Sequence, residues 1–395
     1  MAANSHSALA PVNFMPLVQD FLDNRLVARE VSRTEFKAQL RSGQSIDWPY
    51  ITRARVQTYT PGTDLDIDAN TAVSDTMLIN QSPATTFTLD PNQQAQAEDK
   101  SMQAELADDS AYVLANFIDQ EVIETGVDAA TQSITGGVLS ASVLYGYLTD
   151  AMATLQRSNA ADRATFAILD PETIALLAQV DVANGFNVAD SSLKNGFVGN
   201  SSAGFKIYNS NNLPTTATMT MDTIPTATDT VTIAGVEFTF VANGAAANAG
   251  EISIGANVAA AQANFLLAIA GTATGSAATY IDLAVEDRRI LQNIQLAASA
   301  FAADVTTLTG FGKLGSSETY TAVTNGFSAE TVSMLLGSQG AMSLGMQIMP
   351  TMYTAKEPKR PEMNYIIHTL YGKKVFKRDI PRLVVLTRTA TAATI

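Results

Sequence analysis

The sequence has no cysteine and only two histidines, His6 and His368, in 395 residues. Without thiols there is no disulfide scaffold, no thiolate metal site and no cysteine nucleophile. Two histidines exclude a histidine-rich zinc site. A Ser-His-Asp set would have to use His368, which falls in a predicted strand, and no G-x-S-x-G elbow accompanies it. Basic residues are scarce as well: 24 Lys and Arg against 38 Asp and Glu give a formal charge of −14. A surface this acidic repels nucleic acid, which argues against sequence-independent DNA binding. No window of about 18 uninterrupted apolar residues exists, so no transmembrane helix is expected. The opening MAANSHSALAPVNFMPL lacks the basic start and apolar run of a signal peptide.

What remains is a globular composition, 46% hydrophobic and 16% charged, in a chain long enough for about two or three domains. Residues 14–41 read as an arm with a short helix. Leu17, Phe21 and Leu22 form its apolar stripe, and Arg25, Arg29, Arg33, Lys37 and Arg41 recur every three to four residues as a basic face. Between 46 and 90, IDWPYITRARVQTYTP and TMLINQSPATTFTLD alternate with period two and predict two long strands of a hairpin. Asp90-Pro91 then opens a long helix, with apolar positions at Met102, Leu106, Leu114, Ile118 and Val122 and an expected end at Gly126. A second helix begins near Ser140. FAILD (166–170) reads as a buried strand, and Asp170-Pro171-Glu172 repeats the capping arrangement ahead of a third helix. Residues 196–214 read as a hairpin.

From Thr215 to Asn325 charge falls away and Thr, Ala and Gly dominate. DTVTIAGVEFTFVANG predicts a strand, an Ala-Gly turn and a strand. GANVAAAQANFLLAIAG predicts a helix, and VTTLTGFGKLGSSETYTAV another hairpin. This is an α+β insert of domain size. After it, ETVSMLLGSQGAMSLGMQIMP is ambiguous between strand and helix. MNYIIHTLYG and KKVFKRD read as two strands, followed by the apolar RLVVLT.

Candidate chemistry is thin. Asp64, Asp66, Asp68 and Asn70 are spaced two apart ahead of Asp75, as in a calcium loop. Position six is Ala69 instead of glycine, position twelve is Asp75 instead of glutamate, and strands flank the stretch instead of helices. An exposed acidic hairpin tip fits better. Neither Gly199–Lys206 nor GFGKLGSS (310–317) matches the phosphate-loop pattern. The basic run Lys373, Lys374, Lys377, Arg378 and Arg382 has only Phe376 as aromatic company. It reads as a solvated edge that blunts strand addition, or as a patch that pairs with acidic surfaces of neighbouring copies.

The order of these parts resembles the major capsid protein of tailed bacteriophages, the Hong Kong 97-like fold. IDWPYITRARVQTYTPGTDLD resembles its extended loop, QAEDKSMQAEL with LANFIDQEV its spine helix, and FAILDPETIALLAQ with GFVGNSSAGFKIYNSNNLP its axial domain. LLGSQGAMSLGMQIMP and HTLYGKKVFKRDIPRLVVL resemble the segments returning to both. The resemblance implies an α+β capsid fold divided into an N-terminal arm (1–45), extended loop (46–90), peripheral domain with spine helix (91–135), axial domain (136–214), insertion domain (215–325) and a return to the peripheral and axial domains (326–395).

The same resemblance implies a non-catalytic shell protein without cofactor or metal. It would self-assemble into hexamers and pentamers of an icosahedral virion shell in the bacterial host's cytoplasm and enclose double-stranded DNA without reading it. With only about 45 residues ahead of the loop, a separate scaffolding protein is expected, alongside a portal and decoration proteins. Inter-subunit contacts are expected from Arg53 and Arg55 of the loop and from Arg25 and Arg29 of the arm, facing acids such as Glu98 and Asp99 of an adjacent copy. Asp64, Asp66 and Asp68 would reach a neighbour or solvent, and Lys373 and Lys374 would meet acidic surfaces. Some relatives weld their shells through loop lysines, but Gln44–Asp99 contains no lysine, so boiled shells should run as monomers. The alternatives are an encapsulin-type nanocompartment shell protein and a secreted adhesin or fibre protein.

Overall fold

A computed structural model of the chain describes residues 27–38, 43–51, 56–64, 72–89, 102–160, 163–183, 197–200, 204–271, 278–322, 324–356 and 362–389. The long central helix, Met102–Ala129, has 28 residues and is about 42 Å long. It buries a stripe of Ala111, Leu114, Ala115, Ile118 and Val122, the three- and four-residue spacing of one helical face. The helix runs through Gly126 instead of stopping there. A Cβ at that position would lie 2.6 Å from both Leu335 and Met342, so the glycine permits close packing and does not act as a cap. Asp90 and Pro91 lie outside the described residues.

The stripe packs against two sheets. One is three-stranded and antiparallel: Met342–Lys356, Met363–Val375 and Ala84–Leu89 in that spatial order. Three expectations change here. Ala84–Leu89 does not pair with the first hairpin strand, as the reading of 46–90 required. It joins Met363–Val375, where Phe87 stacks on Tyr365 at 4.8 Å. Pro83, which has no N–H to donate, separates the two pairings. MNYIIHTLYG and KKVFKRD form one strand, Met363–Val375, instead of two. The ambiguous segment after the insert resolves into two strands, Thr331–Ser338 and Met342–Lys356, which break at Gly340 with its left-handed φ of 79°.

The other sheet has ten strands. Its main path runs Ala297–Ala298, Val305–Phe311, Pro214–Thr220, Thr331–Ser338, Thr165–Leu169, Phe205–Asn209 and Phe197–Asn200. Leu383–Thr389 pairs with Thr331–Ser338 and, in parallel, with Gln132–Thr135. Helices Ala141–Arg157 and Pro171–Ala183 also pack on this core through Leu144, Leu148, Leu155 and Leu177.

A second apolar cluster lies between Ala217 and Leu314. It is built from a four-stranded sheet, Glu251–Ser253, Val236–Val241, Thr230–Ile233 and Ser317–Thr319, and from helices Val258–Ala270 and Val285–Asn293. Ala234 and Gly235, both with positive φ, make the tight turn between its central strands. The expected hairpin across 305–323 is absent. Val305–Phe311 stays in the ten-stranded sheet and Ser317–Thr319 crosses to the smaller one. Gly312 and Gly315, both at positive φ, turn the chain between them. The insert is therefore continuous with the large sheet through Pro214–Thr220 and Val305–Phe311.

Candidate functional site: the projecting hairpin and its base

Ser45–Ile51 and Ala72–Leu78 form a separate two-stranded antiparallel ribbon, register Ile46↔Met77 and Trp48↔Asp75. Among the described residues its base is the part that is covered. Ile46, Met77 and Ile79 are buried with Phe36 and Phe376 in a small cluster of their own. Trp48 lies edge-on to Phe36 and 5.9 Å from the Phe376 ring. Such aromatic pairs add roughly 0.5–1.5 kcal/mol each beyond area burial.

Charges close the base. Lys374 Nζ donates to Asp75 Oδ1 at 2.5 Å, and the Lys377 N–H donates to Asp75 Oδ2 at 2.8 Å. Burial raises the Asp75 carboxyl, but the Lys374 ammonium and the Lys377 N–H outweigh it and hold it below its ordinary value. Arg33 lies over the Trp48 ring at 5.2 Å and pairs with Asp379 at 3.4 Å. Gly372 is required because a Cβ there would sit 2.5 Å from the Leu78 carbonyl oxygen.

Beyond the base, large apolar side chains among the described residues are exposed. Ile51 is 70% exposed, Val56 99% and Tyr59 62%. Thr60-Pro61-Gly62-Thr63 turns the chain through a Thr63 N–H to Thr60 carbonyl bond of 3.1 Å, with Gly62 at φ 89°. A turn with proline second and a left-handed glycine third is what that tetrapeptide dictates.

The expected contact residues distribute unevenly. Arg25, Arg53, Arg55, Asp66, Asp68, Glu98 and Asp99 lie outside the described residues. Asp64 is exposed just past the turn, and Arg29 is half-buried on the arm helix Val27–Val31. Lys373 and Lys374 both bind carboxylates of their own chain: Lys373 pairs with Glu121 of the central helix, and Lys374 with Asp75. Asp75, the twelfth position of the calcium pattern, is thus the anchor of the hairpin base. Among the described residues no group of three or more His, Cys, Asp or Glu is placed to hold a metal, and no helix is long and apolar enough to cross a membrane.

Two polar clusters were not singled out from sequence. Arg388 Nη2 bonds Asp170 at 2.8 Å and Glu172 at 2.7 Å, and Lys313 also reaches Glu172 at 2.9 Å. This braces the start of helix Pro171–Ala183 against the root of the insert. Asp119 is buried on the apolar stripe of the central helix. It accepts from the Ala28 N–H at 2.8 Å, Asn212 Nδ2 at 3.0 Å and Ser210 Oγ at 3.4 Å. Burial, only partly opposed by these donors, pushes its carboxyl up to about 6. A lone acid in register with Ala115, Ile118 and Val122 is a signal the sequence did carry.

No protein-family model matches the chain, and no curated protein matches it in sequence. Its fold does match solved structures. A chain of Mycobacterium phage Che8 aligns with TM-score 0.53 and 13% identity, over 92% of this chain and 91% of that one. A chain from the capsid structure of the cyanophage P-SCSP1u aligns with TM-score 0.51 and 13% identity, over 93% and 89%. Across nearly its whole length, the chain has the α+β, Hong Kong 97-like fold found in phage capsids.

Proposed function

We propose that the chain is the shell subunit of a phage capsid, a structural and non-catalytic protein that self-associates through its projecting hairpin. The observation that carries this reading is the exposed apolar side chains beyond the ribbon's base. A two-stranded hairpin is marginal in water when nothing covers it, and this one exposes Ile51, Val56 and Tyr59 beyond a firmly packed base. A neighbouring copy that covers the ribbon would stabilise both. The fold likeness supports the same reading, and so does the acidic balance of the chain, which would keep packaged DNA from adhering to the inner wall. On this reading the subunits form hexamers and pentamers of an icosahedral virion shell. Assembly occurs in the host cytoplasm with a separate scaffolding protein, and portal and decoration proteins complete the particle.

The test is negative-stain electron microscopy of the purified chain, expressed alone and with its neighbouring genes, beside a variant in which residues 52–71 are replaced by a Gly-Ser turn. Rings or shells from the natural chain and monomers from the shortened one, with equal thermal unfolding, are expected. A monodisperse monomer of the natural chain under both conditions would overturn the proposal.

A further inference from the structure

Three consecutive residues of the central helix hold three different parts of the chain. Successive helical residues point about 100° apart, so Asp119, Gln120 and Glu121 together span about 200° of the helix circumference. Asp119 accepts the Ala28 N–H and so anchors the arm helix Val27–Val31. Gln120 holds the insert: its Nε2 donates to the Asn293 carbonyl at 3.0 Å, and its Oε1 accepts from Gln295 Nε2 at 2.9 Å. Glu121 binds Lys373 of the long C-terminal strand through both its carboxylate and its carbonyl.

These anchors are not independent. Asn212 donates its Nδ2 to Asp119 at 3.0 Å and accepts from Gln120 Nε2 at 3.5 Å through its Oδ1. Its backbone N–H donates to Ser210 Oγ, and that hydroxyl donates in turn to Asp119. Asp119 and Gln120 are 1% and 2% exposed, so neither can exchange a lost partner for bulk water without cost. A cleft of about 580 Å³ opens between the central helix and the insert beside these bonds, and Gln120, Asn212 and Asn293 line it. Gln120 bridges its wall on the central helix to the Asn293–Gln295 turn of the insert.

We propose that seating of the insert and docking of the arm form one cooperative unit, joined through Gln120 and Asn212. A contact that shifts the Asn293–Gln295 turn would then loosen the arm helix. The property belongs to the free chain and does not depend on shell formation.

Hydrogen exchange on the full-length protein, read by mass spectrometry, tests it. Gln295→Ala removes one half-buried amide and touches no arm residue. It should speed exchange in peptides covering 27–33 by about fivefold or more, the lower end of ordinary coupling free energies. Because such coupling acts in both directions, Asp119→Asn should also speed exchange across 290–298. The control is Asn325→Ala, which loosens the insert where Asn325 bonds Asp222 and Thr223, away from the central helix. It should leave the arm unchanged. An arm indifferent to Gln295→Ala, a turn indifferent to Asp119→Asn, or an arm equally loosened by Asn325→Ala would each overturn the proposal.

Discussion

Lys374, near the end of the long C-terminal strand, places its Nζ 2.5 Å from the buried Oδ1 of Asp75 in the second hairpin strand. The pair locks the base of a ribbon that exposes Ile51, Val56 and Tyr59 farther out. Lys374→Met leaves the Asp75 carboxylate buried with only the Lys377 N–H, and a deserted buried acceptor costs roughly 1–3 kcal/mol. Urea unfolding should show that loss. Proteolysis within 52–71 should accelerate, and Asp75→Asn in the same chain should restore part of the stability. Because the native carboxyl lies below its ordinary value of about 3.9, its contribution is present above that pH and disappears as the pH falls below it.

Glycines give a contrast within one molecule. Gly146 lies on the exposed face of helix Ala141–Arg157, and nothing lies within 4 Å of a Cβ there. Gly146→Ala should stabilise by about 0.5–1 kcal/mol, the ordinary helix-propensity gain. Gly126→Ala offers the same gain, but its Cβ meets Leu335 and Met342 at 2.6 Å. Overpacking costs about 1–3 kcal/mol, so the net change should be zero or a loss. Gly372→Ala is the most severe of the three, since the Leu78 carbonyl at 2.5 Å is backbone and cannot rotate away. Thermal unfolding of the three variants should rank them in that order.

Local chemistry was legible in the sequence where it was self-contained. Asp170-Pro171 starts a helix, Ala234-Gly235 turns a hairpin, and Asn257 and Gly271 bound the helix between them. Pairing between distant strands was not legible. Pro214–Thr220 bonds to Val305–Phe311, Gly326–Phe327 and Thr331–Ser338, and nothing in the alternation of PTTATMT names a partner. The lysines at 373 and 374 looked like a free basic patch because their carboxylates, Glu121 and Asp75, are 252 and 299 residues away. Proline 83 was visible, but that it hands the chain from one sheet to another depends on where Met363–Val375 lies.

Asp119 gives the chain an unusual acid dependence. Its native carboxyl titrates near 6, against about 3.9 when unfolded. Between those values the folded state binds more protons than the unfolded one, so this group's contribution falls as the pH rises from about 4 to about 6. The full swing is on the order of 3 kcal/mol. Asp119→Asn removes the titration, and the difference in unfolding free energy between variant and natural chain should change with pH across that window and be level above it. A difference that is constant from pH 4 to 7 would show that the carboxyl is already ionised at pH 4.

The exposed end of the hairpin separates stability from association. Val56 and Tyr59 touch little of their own chain, being 99% and 62% exposed, and surface substitutions of that kind usually change stability by no more than about 0.5 kcal/mol. Val56→Asp with Tyr59→Ser should therefore leave unfolding of the monomer unchanged. Shell or ring formation should be lost, because both new groups would need desolvation against a neighbouring copy. Sedimentation velocity at rising concentration reads association directly. A double variant that assembles like the natural chain would move the contact surface elsewhere, with the exposed Val138, Val143 and Tyr145 around the start of helix Ala141–Arg157 as the next residues to change.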